Sequence, residues 1–173
     1  MTAWLLRLQA HDERILHALV LRRWRVADRL MNGVTRLGDA VSTIGVTSAL
    51  CASWSPRLQT TGAFAAVALV SSHLGVQILK RTVTRSRPRL PVGCASLIQA
   101  PDRFSFPSGH AAASLSVGIA LALAVPPPAS AAILFLALVV GISRCYLGVH
   151  YPGDVLAGWF LALSGAALAA FVL

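Results

Sequence analysis

The sequence predicts an all-α fold: an integral-membrane helical bundle of about five transmembrane helices behind an N-terminal interfacial amphipathic region. Three observations lead there. Of the 173 residues, 56% are hydrophobic and 12% charged, with mean hydropathy +0.70, too apolar for an ordinary soluble domain. Five apolar stretches follow one another from residue 39 onward, most of them close to the roughly 20 residues that cross a bilayer. Between them lies one long polar connection, 81–107. The length suits one folding unit, divided into an amphipathic interfacial segment, 1–37, and a membrane core, 38–173.

In the 1–37 segment, Ile15, Leu16, Leu19, Val26, Leu30 and Val34 recur at roughly helical spacing against Arg14, Arg22, Arg25, Arg29 and Arg36. Helices of this pattern lie in the plane of the membrane interface. The apolar run at 1–8 is broken by Arg7 and followed by His11, Asp12, Glu13 and Arg14, without a small-residue cleavage site, so a signal peptide is not expected.

Spans are expected at 39–54, 60–79, 108–125, 129–147 and 152–173, the first of them short. Pro126, Pro127 and Pro128 mark a tight turn between the third and fourth. Alternation through the bilayer brings the end of the second span, the start of the third, the end of the fourth and the start of the fifth to one membrane face. His73, in mid-span beside Ser71 and Ser72, is read as a neutral group hydrogen-bonding between helices.

A net charge of +9 would suit nucleic acid in a soluble chain, but no aromatic-interleaved basic patch accompanies it. Arginine-rich loops that stay on the cytoplasmic side explain the charge instead, so nucleic acid is not an expected partner. Cys51, Cys94 and Cys145 are odd in number and widely spaced, which fits neither a disulfide framework nor a Cys-x-x-Cys metal site.

Three motifs carry chemistry, each at the mouth of an apolar segment. Lys80-x6-Arg87-Pro88 closes the second span, and Lys80 is the one lysine among fifteen basic residues. A compact ammonium there differs in kind from the planar arginine fork. A spacing of seven puts Lys80 and Arg87 on nearly one face if the helix runs on until Pro88 stops it. Pro107-Ser108-Gly109-His110 opens the third span. Ser108 is placed as an N-cap, the free amides of the helix start favour an anion, and Gly109 lets an oxyanion come close to the backbone. Ser143-Arg144-x5-His150-x3-Asp154 spans the fourth loop. Arg144 offers a bidentate fork to phosphate oxygens, and Asp154, four residues beyond His150, can accept the Nδ1 proton and leave Nε2 free as a nucleophile. A divalent metal on His110, His150 and Asp154 is the rival reading. Three fixed cations nearby would repel it, and there is no second carboxylate cluster, so neither metal nor cofactor is expected.

In order, spacing and every signature residue these motifs resemble the type 2 phosphatidic acid phosphatase and vanadium haloperoxidase superfamily, over about residues 35–160. That range includes Thr35-Arg36-Leu37-Gly38-Asp39, similar to a stretch that often precedes the core. The resemblance implies an all-helical core and metal-independent phosphoryl transfer. His150 would attack phosphorus and form a phosphohistidine, Asp154 would orient it, and His110 would protonate the leaving oxygen and later help activate water. Lys80, Arg87, Ser108, Gly109 and Arg144 would hold the phosphoryl oxygens.

The expected partners are then the bilayer and a lipid phosphate: phosphatidate, phosphatidylglycerol phosphate, phosphatidylinositol phosphate or a polyprenyl-phosphoryl-phosphoribose. The 81–107 loop, with Arg103, Phe104 and Phe106, is placed to cover a headgroup. Typical membrane members have six spans, and the first is not seen in this chain. With five, the N-terminus and the site share a face. Arg7, Arg14, Arg22, Arg23, Arg25, Arg29 and Arg36 precede the first span while the opposite face carries Arg57, so the site is expected to face the cytoplasm from a bacterial inner membrane. An inverted topology would instead favour undecaprenyl diphosphate. A haloperoxidase would be soluble and much larger, and a non-catalytic lipid-phosphate binder or flippase component would have lost His150 or His110.

Overall fold

The computed structural model describes residues 3–100 and 102–173, with residues 3–8 described by their backbone. The first two residues of the 1–37 segment and the side chain of Arg7 lie outside the described residues. Among the described residues seven helices follow in order: α1 (Ala3–Leu21), α2 (Arg25–Thr35), α3 (Ala40–Cys51), α4 (Pro56–Val83), α5 (Gly109–Leu123), α6 (Pro127–Tyr146) and α7 (Pro152–Val172), with a 3-10 turn at Arg36–Gly38. No strand forms among the described residues beyond an isolated bridge between Ser86 and Phe104.

The five apolar helices stand where five spans were expected. α4, α6 and α7 have 28, 20 and 21 residues and are apolar enough to cross a membrane. α3 and α5, with 12 and 15 residues, rise roughly 18 and 22 Å, less than the ~30 Å of a hydrocarbon core. α4 starts at Pro56, four residues earlier than the hydropathy edge, because proline at the first helical turn has a preset φ and no amide to satisfy.

α5 is the central helix. It packs on α4, α6 and α7, and every residue from Ala111 to Gly118 is buried. Its Ala, Ser and Gly side chains allow neighbours to approach closely, the usual basis of helix association in lipid. Ser116 Oγ meets Ser72 Oγ of α4 at 3.0 Å. Gly158 seats α7 on the first turn of α5: a Cβ there would fall 2.5 Å from the Ser108 carbonyl oxygen.

The N-terminal helices pack on one end of this bundle. Leu16 and Val20 of α1 are buried with Ala111, Cys145, Tyr151 and Val155. Ala27 of α2 meets Tyr146 and Leu147. Between them Arg23 donates to the Tyr146 carbonyl at 2.8 Å and the Ala95 carbonyl at 2.7 Å. Ile15, Leu21, Trp24, Val26 and Leu30 point outward. The connection from α4 to α5 crosses the same end, held by Ser105 N to the Arg85 carbonyl at 2.8 Å and Ser96 Oγ to the Gly148 carbonyl at 3.1 Å.

Candidate active site

All three motifs meet at that end of the bundle. α4 contributes Lys80 from its last turn and then stops at Val83, where Thr84 adopts φ 47° and ψ 35°. The helix therefore runs four residues past the span edge at 79 but does not continue to Arg87, which reaches the site from the loop rather than along a shared helical face. A carboxylate joins the two cations. Asp102 accepts from Arg87 NH2 at 2.9 Å through Oδ1 and pairs with Lys80 Nζ through Oδ2. Burial works to raise the Asp102 pKa, but Lys80 and Arg87 outweigh it and hold the carboxyl below its ordinary range.

At the start of α5, Ser108 is fully buried and caps the helix, its Oγ accepting from Ala111 N at 3.4 Å. Its own amide donates to the Asp154 carbonyl at 2.9 Å, fastening α5 to α7. The backbone of Gly109 is open: the atom nearest to an added Cβ would be Val76 Cγ1 at 3.8 Å. His110 Nε2 lies 2.7 Å from Asp39 Oδ1. A carboxylate accepts, so this nitrogen bears a proton.

Arg144 is 2% exposed, donates to Thr35 Oγ1 at 2.8 Å, and its Nε has no partner among the described residues. Its carbonyl accepts from Val149 N at 3.1 Å and His150 N at 3.2 Å, and Gly148 turns the chain there with φ 82°. The loop so formed holds His150 in place, and His150 is 2% exposed.

His150 Nε2 lies 2.9 Å from Arg87 NH1. A guanidinium has no acceptor, so Nε2 carries the lone pair and the proton of the neutral ring is on Nδ1. That is the tautomer expected, with two differences. Nε2 is engaged by Arg87 rather than free, and Nδ1 stands 3.6 Å from Asp154 Oδ2, outside hydrogen-bond length. The carboxylate is held elsewhere: Oδ2 accepts from Tyr151 N at 2.8 Å and Oδ1 from Arg85 NH1 at 2.7 Å. Burial is the main reason that the His150 pKa falls to about 4. Arg87 and Arg144 push the same way, and Asp154 opposes them.

Arg85 was not anticipated. It bridges Asp154 to Asp12 of α1, at 2.7 and 2.8 Å, and stacks 4.1 Å above the Tyr151 ring. Asp12 in turn accepts from Gly153 N at 2.8 Å. Asp39, Asp102 and Thr35 were likewise not singled out as site residues. A usable signal existed, because the chain has six acidic residues among fifteen basic ones. Four of the six, Asp12, Asp39, Asp102 and Asp154, pair with an arginine, a lysine or a histidine, while Glu13 and Asp28 accept from Gln9 and Tyr146.

A cavity of about 670 Å³ opens at this cluster and runs between α3 and α4, with α5 behind. Lys80, Gly109, His110 and His150 line it; Arg87 reaches it beside His150 Nε2 at 2.9 Å, and Ser108, Arg144 and Asp154 are buried around it. His73 also lines it. It bonds Gln77 of its own helix at 3.1 Å, not a neighbouring helix as expected.

A family model described as the PAP2 superfamily matches residues 61–172. Phosphatidylglycerophosphatase B of Bacillus subtilis is 32% identical over 166 residues, 90% of this chain and 79% of that protein. Among solved structures, Aquifex aeolicus LpxE is similar in fold, with TM-score 0.78 and 21% identity over 91% of this chain and 93% of that one. The first transmembrane PAP2 type phosphatidylglycerolphosphate phosphatase from Bacillus subtilis gives TM-score 0.72 and 28% identity over 95% of this chain and 85% of that one.

Proposed function

The chain belongs to the PAP2 superfamily and is an integral membrane protein, and from that premise we propose that it hydrolyses the phosphomonoester of a membrane lipid, without a metal, through a phosphohistidine on His150. The observation that carries this reading is the paired state of His150: a lone pair on Nε2 aimed at Arg87, on a buried ring that stays neutral to about pH 4.

As the phosphoryl group enters, Arg87 transfers its hydrogen bond from Nε2 to a phosphoryl oxygen. Nε2 then forms a bond to phosphorus as the bond from phosphorus to the lipid oxygen breaks. The anionic phosphate brings His110 to its imidazolium form by proton uptake at Nδ1, and His110 gives that proton to the leaving oxygen. Its Nε2–H stays with Asp39, so the ring is left neutral with a free lone pair on Nδ1. In the second step His110 takes a proton from water, the water oxygen bonds phosphorus, the N–P bond breaks, and inorganic phosphate leaves. Lys80, Arg144, the Gly109 amide and the helix start capped by Ser108 stabilise the three phosphoryl oxygens, contacts of a type worth about 2.7–4 kcal/mol each in the transition state. Asp154, fixed by Arg85, orients the imidazolium that develops.

The substrates in view are phosphatidate, phosphatidylglycerol phosphate, phosphatidylinositol phosphate and polyprenyl-phosphoryl-phosphoribose. In this reading Trp24, Val26 and Leu30 seat α2 in the interface, and the site faces the cytoplasm from a bacterial inner membrane. The test is phosphate release by purified protein from those lipids in detergent with EDTA, with a parallel alkaline detergent quench that preserves any phosphoprotein. The expected result is turnover with an acid-labile, base-stable phosphoprotein that the His150→Ala variant does not form. Activity that EDTA removes and Mg²⁺ restores would overturn the mechanism.

A further inference from the structure

Two polar side chains in the cavity wall take no part in the chemistry above. His73 and Gln77 interrupt an otherwise apolar stretch of α4 made by Leu69, Val70, Leu74 and Val76. They are seven and three residues before Lys80, roughly 10.5 and 4.5 Å deeper along the helix axis. The Gln77 amide donates to His73 Nε2 at 3.1 Å, so the neutral ring has its proton on Nδ1. No other hydrogen bond engages either side chain among the described residues. A donor left unpaired in hydrocarbon is costly, and a ligand with acceptors at this depth removes that cost.

The depth order specifies the ligand. Cations come first at Lys80, a neutral hydrogen-bonding pair next, and an apolar wall beyond. A second phosphate at the middle level would call for a cation, and residues 70–77 include none. A polyprenyl chain has no polar atom there at all. Ester carbonyls a few bonds below the phosphoester are neutral acceptors, followed directly by acyl chains.

We propose that His73 and Gln77 form a second subsite that donates hydrogen bonds to the ester carbonyls of a diacylglycerol phosphate and selects it over polyprenyl phosphates. The inference rests on the phosphatase reading and names its substrate class.

The test compares dioleoyl phosphatidate, its dialkyl ether analogue and farnesyl phosphate on wild type, His73→Leu and Gln77→Leu. In parallel, binding of the ester and ether lipids is measured on His150→Ala, alone and combined with His73→Leu. Each removed hydrogen bond should lower kcat/KM on the ester by roughly fivefold and leave the ether and farnesyl substrates within about twofold. The ester should also bind more tightly than the ether, until His73 is replaced. Equal losses on all three substrates, or no wild-type preference for ester over ether, would overturn the subsite while leaving the phosphatase standing. No turnover of any lipid would overturn the phosphatase reading, and the ester-to-ether binding ratio would then decide the subsite alone.

Discussion

The Arg87 guanidinium donates to His150 Nε2 across 2.9 Å. The group proposed to attack phosphorus is thus covered by a cation that also pairs with Asp102. Arrival of a phosphoryl group gives Arg87 a more strongly charged acceptor, so binding and unmasking of the nucleophile become one event. His150→Ala should abolish phosphate release while the protein still folds, because no neighbouring group replaces an attacking imidazole. Arg87→Lys keeps the charge but loses the fork that reaches two acceptors at once. It should cost roughly a hundredfold in kcat, on the scale of one oxyanion contact. Full activity in either variant would reject the assignment of these residues.

The burial of His150 predicts an acid-sensitive fold. Its pKa is about 4 in the folded protein against an ordinary 6.5, so the unfolded chain takes up this proton first as pH falls. The stabilising contribution is therefore complete above about pH 6.5 and is lost progressively as pH drops toward 4. The thermal midpoint of wild type in detergent should fall between pH 7 and 5. That of His150→Asn should fall less, the difference approaching about 1.4 kcal/mol per pH unit. Parallel slopes for the two proteins would contradict the buried neutral ring.

Arg85 should act on turnover rather than on affinity. It touches Asp154 and Asp12, not the cavity. Arg85→Lys can hold one carboxylate but not both in planar geometry. A loss of about tenfold in kcat with KM little changed is expected, with Asp12→Asn moving the same way. A raised KM at constant kcat would identify Arg85 as a substrate contact instead.

Orientation is testable at Val92, which is fully exposed in the loop between α4 and α5. After replacement of Cys51, Cys94 and Cys145, Val92→Cys should resist an impermeant thiol reagent in intact cells and react once the membrane is opened. The basis is the arginine excess: seven precede α3, while Arg57 stands at the other end of the bundle. Labelling of intact cells would reverse the assignment and bring outward-facing diphosphate lipids forward.

The spans and the three motifs were legible because each rests on local signals. Apolar runs mark the helices, Pro152 marks a helix start, and Ser108 is the N-cap expected of it, while Pro127 and Pro128, expected in the turn, form the first turn of α6. Residues such as Asp39, Asp12 and Asp102 were not legible, because their partners lie 71, 73 and 22 positions away. No periodicity records which carboxylate meets which cation. The 1–37 segment shows the same limit. Its spacing predicts amphipathic helices, and α1 and α2 form there, but the burial of Leu16 and Val20 against Tyr151 depends on surfaces more than a hundred residues away. The path after Thr84 was hidden because a threonine in the left-handed region has no sequence signature, and α4 ends at Val83, between the apolar edge at 79 and Pro88.

The cavity between α3 and α4 is bordered by Val41, Ile44, Val70 and Leu74, all largely exposed on the outside of the bundle. In a bilayer these side chains touch acyl chains, so a lipid can slide sideways into the site without leaving its leaflet. The concentration that governs the rate is then a surface density, the mole fraction of substrate among its neighbours. Adding inert lipid or detergent at constant bulk substrate should slow the reaction in proportion to that dilution. The membrane is in this sense the solvent of the reaction, and its composition sets how often the site is filled.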